Sequence, residues 1–101
     1  MIMSAGNPKF AFGRIVATPA ALEAIGDSDQ SPHEFLIRHL RLEQGDLCDD
    51  DHELNKQSIQ DGSRILSSFR TAKNVKLWII TEAEDDSGQR AATTILLPEE
   101  Y

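Results

Sequence analysis

Val75-Lys76-Leu77-Trp78-Ile79-Ile80-Thr81 is the stretch that decides how the rest of this chain folds. β-Branched and aromatic residues dominate it, and such side chains suit a pleated, half-buried surface. Alternation puts Val75, Leu77 and Ile79 on one face and Lys76, Trp78 and Ile80 on the other. The same period of two continues on both sides. Ile65, Ser67 and Phe69 alternate with Leu66, Ser68 and Arg70, while Ala91, Thr93, Ile95 and Leu97 alternate with Ala92, Thr94 and Leu96. Thr71–Asn74 supplies a hairpin loop in which Asn74 tolerates left-handed geometry, and Asp85–Gly88 supplies a second turn. Arg64–Leu97 therefore reads as three antiparallel strands ended by Pro98, with Trp78 in the central one.

Upstream of the meander the period is helical. Thr18-Pro19 opens a short helix that ends at Gly26, with Leu22 and Ile25 as its apolar stripe. Ser31-Pro32-His33-Glu34 has the spacing of a capping box, in which Ser31 and Glu34 satisfy each other's backbone N–H groups. The helix it starts buries Phe35, Leu36, His39 or Leu40, and Leu42, with Arg38 and Arg41 near its C-terminal end and Gly45 as its stop. Asp49-Asp50-Asp51 opens a third helix, about Asp50 to Gln60, with an aspartate as cap and Gly62 as terminator. Its apolar face is thin, Leu54 and Ile59 almost alone, so this helix is expected to be mostly exposed. Ahead of all three, Lys9–Ala17 reads as a strand whose Gly13 implies a bulge or a close backbone approach. Residues 1–8 lack periodicity and are expected to form a loose terminal segment.

The expected architecture is one α+β domain over residues 1–101. Its order is β-α-α-α-β-β-β, with helices packed on one face of an antiparallel sheet of three to four strands. If only one face is covered, the other is a surface for a partner or for a second copy of the chain.

Charge narrows the function. Ten Lys+Arg against seventeen Asp+Glu give a net charge of −7, which repels phosphate backbones and anionic membranes. No long apolar run is present and the single cysteine, Cys48, cannot form an internal disulfide, so a cytoplasmic protein without a membrane span is expected. Acidic residues cluster at Asp46, Asp49, Asp50, Asp51 and Glu53, next to the start of the third helix. Together with Trp78 these are the candidate interaction surface.

No catalytic constellation emerges. Ser67 and Ser68 lie in a strand without a nucleophile elbow, and Asp46, Asp49 and Asp50 would raise the Cys48 thiol pKa. His52 beside the aspartates lacks the spacing of a zinc protease helix or a calcium loop. The six arginines from Arg14 to Arg90 are scattered and form no basic stripe with interleaved aromatics. No enzymatic activity, metal or cofactor is expected, and direct nucleic-acid binding is disfavoured.

Several blocks together resemble a known family. They are Phe12-Gly13-Arg14-Ile15-Val16-Ala17-Thr18-Pro19-Ala20-Ala21-Leu22, Gly45-Asp46-Leu47, Gly62-Ser63-Arg64-Ile65-Leu66-Ser67, Val75–Ala83 and Thr93–Tyr101. In this order they look like the small bacterial plasmid-related proteins carried on plasmids and other mobile elements, some of them labelled as associated with type I restriction systems. Leu42-Glu43-Gln44 and Cys48 depart from that pattern. The resemblance implies a bacterial mobile-element setting and no mechanism. The expected function is that of a small acidic accessory protein acting through protein–protein contacts. Two alternatives are a DNA-mimic inhibitor of a defence or restriction system and a nucleic-acid-binding module.

Overall fold

The computed structural model describes residues 10–101, so the expected loose segment 1–8 and Lys9 lie outside the described residues. Four strands and three helices follow in the order β1 (Arg14–Ala17), α1 (Pro19–Asp27), α2 (Pro32–Leu40), α3 (Asp49–Asp61), β2 (Ile65–Arg70), β3 (Lys76–Thr81) and β4 (Ala92–Leu96). A 3₁₀ turn, Pro98–Glu100, closes the chain.

The meander is antiparallel as its alternation implies: Ser68 faces Trp78 across β2 and β3, and Trp78 faces Leu96 across β3 and β4. The first strand is where the expectation fails. It pairs parallel with β4, Arg14 opposite Ala92 and Ala17 opposite Ile95, so the sheet is mixed with order β1-β4-β3-β2. Side-chain period places a residue on a face and is indifferent to strand direction, which the tertiary path of the chain decides. The strand is also shorter than Lys9–Ala17. Gly13, at φ +66°, comes so close to the backbone leading into β4 that a Cβ there would sit 2.2 Å from the Arg90 carbonyl oxygen. The close approach is real, and it precedes the strand.

The core lies between one sheet face and two helices. Phe69, Leu77, Ile79 and Ile95 are buried against Ala21 and Ile25 of α1 and Phe35 and Leu36 of α2. The α1 stripe is Ala21/Ile25, and Leu22 stays 45% exposed. A small residue at the contact lets the helix sit close to the sheet. Gly26 lies inside α1, which ends one residue later.

The Ser31 hydroxyl caps α2 by accepting from the His33 N–H at 3.1 Å, whereas the Glu34 carboxylate accepts from the Gln30 amide at 2.9 Å. The reciprocal half of the capping box is therefore not made. α2 stops at Leu40, and Leu42, at φ +56°, turns the chain. Gly45 serves another purpose than stopping the helix: at φ +54°, a Cβ there would lie 2.3 Å from the Ser68 carbonyl oxygen.

α3 corrects the expected layering. It runs beside the outer edge of β2 and does not join the other helices over the core. The Asn55 amide donates to the Leu66 carbonyl at 2.7 Å and accepts from the Leu66 N–H at 3.1 Å. The Asp46 N–H donates to the Ser68 carbonyl at 2.7 Å. One side chain and one loop peptide thus replace part of a missing fifth strand and close an edge that would otherwise invite pairing. The helix buries Asn55 and Ser58, while the expected Leu54 is 56% exposed. Its N-cap is Cys48, which makes no side-chain cap bond, and Asp49–Asp51 occupy the first turn.

Among the described residues no helix is long and apolar enough to cross a membrane.

Candidate interaction surface

Leu77 and Ile79 point into the core, so Trp78 and Ile80 point to the opposite face. Among the described residues this outer face carries the C-terminal turn beside Trp78, and Ile80 and Leu96 on it are buried. Glu100 anchors that turn, accepting at Oε1 from the Thr18 hydroxyl at 2.7 Å and from the Leu97 N–H at 2.9 Å. Tyr101 then lies edge-on to Trp78, with ring centroids 5.6 Å apart, and its hydroxyl accepts from Arg64 Nη1 at 2.6 Å. Trp78 is therefore half-covered. Next to it a depression of about 250 Å³ is lined by Leu47, Asp51, Leu54, Arg64 and Leu66. Leu54 and Tyr101, 56% and 66% exposed, border the uncovered remainder.

The acidic residues do not act as one cluster. Asp46 accepts from Arg70 Nε at 2.6 Å and lies 3.8 Å from Lys76 Nζ, at the end of the face that holds Trp78. Asp49 accepts from the Gln44 amide at 2.9 Å. Glu53 pairs with Lys56 at 3.4 Å on the solvent side of α3. Helical period puts Asp51 with Leu54 and Asn55 toward the sheet and turns Glu53 away. Of the six predicted residues, Asp46, Asp51 and Trp78 border the same face, Asp50 is exposed in the first turn of α3, and Asp49 and Glu53 lie elsewhere. Sequence reasoning missed Arg64, Leu66, Arg70 and Tyr101. Leu66 and Arg70 carried a signal, since strand period puts both on the face opposite Ser67 and Phe69.

A second polar cluster is buried. His39 meets the Ser67 hydroxyl at Nδ1 (2.6 Å) and the Thr81 hydroxyl at Nε2 (2.8 Å). Thr81 contacts the Thr93 hydroxyl at 2.7 Å, and Thr93 donates to the Phe12 carbonyl at 2.8 Å. That last bond orients the whole chain. Thr93 has spent its proton, so it accepts from Thr81; Thr81 in turn accepts from the Nε2–H of His39, and Nδ1 accepts from Ser67. The ring is neutral with its proton on Nε2, and burial lowers its pKa to about 3. Phe10 packs edge-on at 5.2 Å and Phe12 stacks at 6.1 Å, sealing the ring. Ser67 and His39 are both 0% exposed, so this serine–histidine pair presents no nucleophile to a substrate in the folded state.

Arg90 is likewise spent internally. Its guanidinium donates to the carbonyls of Ser58, Ser63 and Glu82 at 2.7–3.0 Å and stands 3.9 Å from Glu84. It thereby ties the C-terminal end of α3, where carbonyls lack helical partners, to the turn after β3. His52 donates from Nε2 to the Leu42 carbonyl at 2.8 Å, away from the bond made by Asp49. Cys48 is exposed. Among the described residues no three His, Cys, Asp or Glu side chains are placed to share a metal ion.

Compared with known protein families, curated proteins and solved structures, the chain has no match.

Proposed function

We propose that this chain is a small accessory protein of a bacterial mobile element that works by protein–protein contact through the outer face of its sheet. The observation that carries the reading is the half-covered Trp78. Its neighbours Tyr101, Leu54 and Leu66 form an apolar patch edged by Asp46 and Asp51. Apolar centres with polar rims are typical of contact surfaces, and tryptophan and tyrosine are frequent anchors in them. The rim carries both signs, Asp46 and Asp51 with Arg64, Arg70 and Lys76, and favours a partner whose own apolar patch has a mixed polar rim. The bacterial mobile-element setting rests on the sequence resemblance alone.

Neither alternative gains from the geometry. Asp46 is engaged by Arg70 and Lys76, Asp49 by Gln44, and Glu53 turns to the other side of α3 from Asp51, so the carboxylates do not line up as a phosphate row. The cations on this face are engaged within the chain, Arg64 by the Tyr101 hydroxyl and ring and Arg70 and Lys76 by Asp46, and the net charge of −7 disfavours nucleic acid.

The test is capture of partners from a bacterial host with wild-type protein, Leu54→Glu and Tyr101→Ala. We expect a protein whose capture disappears with Leu54→Glu and weakens with Tyr101→Ala. Equal capture by the Leu54→Glu variant, or capture of nothing, would remove this reading.

A further inference from the structure

α3 has a second flank, turned away from the outer sheet face. His52, Lys56, Ile59 and Gln60 recur at helical spacing there, opposite Arg41 and Leu42 at the end of α2. Between them lies a pocket of about 380 Å³, within the range of small-molecule sites. Its floor is apolar, with Leu42 buried to 7% exposure and Ile59 half-buried. Two of its lining side chains, Arg41 and Lys56, are cationic, in a molecule whose net charge is −7.

These polar groups are largely unspent. Among the described residues Arg41 makes no ion pair or side-chain hydrogen bond, unlike Arg38, Arg70 and Arg90. Lys56 has only the exposed contact to Glu53 at 3.4 Å, an interaction weak enough to be exchanged. The amide of Gln60 is unpartnered among the described residues, and the Leu42 carbonyl holds His52 by Nε2, fixing that ring at the pocket wall. Leu42 reaches this place only by adopting φ +56°, a conformation unfavourable for a bulky side chain. Strain of this kind concentrates at binding and catalytic sites.

We propose that this pocket binds a small organic phosphate, with Arg41 and Lys56 neutralising the phosphate group and Leu42 and Ile59 receiving its apolar body. Arginine matches phosphate oxygens two at a time and lysine adds a point charge. Two cations suit a dianionic phosphate monoester better than a single carboxylate. The site is independent of the protein-contact face, since the two lie on different flanks of α3.

The test is an amide NMR titration of the full chain with phenyl phosphate, inorganic phosphate and benzoate. Expected is saturable binding of phenyl phosphate with a Kd on the order of 1 mM or tighter, with shifts centred on Arg41, His52, Lys56 and Gln60. Arg41→Gln/Lys56→Gln should weaken it about tenfold or more, that is by about 1.4 kcal/mol or more. Lys73→Gln, a cation on the distant hairpin loop, should leave it unchanged, and inorganic phosphate should bind more weakly. No saturable shifts, equal binding of benzoate, equal binding of inorganic phosphate, or an unaltered double variant with a native spectrum would each overturn the proposal.

Discussion

His39 shows how much one side chain controls. Its depressed pKa means that the folded state binds fewer protons than the unfolded chain between about pH 3 and the ordinary histidine value. Stability from this group is complete above pH 6.5 or so and is lost as pH falls toward 3, with a limiting slope of about 1.4 kcal/mol per pH unit. Protonation would also put a proton on Nδ1 and force the Ser67 hydroxyl to give up its acceptor. We expect His39→Gln to flatten the stability profile between pH 6.5 and 5, measured by urea unfolding at a series of pH values. An identical slope in the two proteins would refute the buried-network account.

Asn55 is the second such residue. Its amide satisfies both the N–H and the C=O of Leu66, so truncation leaves two backbone groups without partners. Asn55→Ala should cost about 2–4 kcal/mol in chemical denaturation. Asn55→Asp should recover only part of that loss, because a carboxylate cannot donate to the Leu66 carbonyl.

At the scale of elements, the edge of β2 is organised by a loop glycine. Gly45 combines a positive φ with contact to the Ser68 carbonyl and the Phe69 ring, so any side chain must displace the edge strand. Gly45→Ala is expected to lower stability by about 2 kcal/mol or more and to raise amide exchange at Leu66 and Ser68. Gly26→Ala makes the contrast, since a Cβ there meets nothing within 4 Å and the residue is inside α1. It should stabilise by up to about 1 kcal/mol. The C-terminal turn is the other element held by side chains. Tyr101→Ala removes an edge-to-face pair worth about 0.5–1.5 kcal/mol and uncovers Trp78. A red shift of tryptophan emission should accompany that change, and unchanged emission would place the Tyr101 ring elsewhere in solution.

For the molecule as a whole, the meander and its turns were legible from period two and from Asn74 and Gly88. So were the three helices, from Thr18-Pro19, Ser31-Pro32 and the terminator Gly62. What the outer face would look like was legible only in part. Trp78 and the acidic run were visible, but their grouping was not. Asp46, Asp51 and Trp78 are brought together by the α2–α3 loop crossing the end of β2, while Glu53, only two positions from Asp51, is rotated away. Leu54 was expected inside and lies outside because α3 borders an edge and buries amide and hydroxyl groups there. Helical period alone cannot report that choice, since a sheet edge calls for hydrogen-bonding groups where a sheet face calls for apolar ones.

The sequence by itself determined the elements and the face each β-strand residue takes, because both follow from local backbone geometry and side-chain period. Tertiary structure alone decided that β1 runs parallel to the last strand, that Asn55 substitutes for a strand, and that Arg41 and Lys56 confront one pocket. Those outcomes depend on how segments distant along the chain pair and cross, and no local pattern of residues encodes the direction of that return.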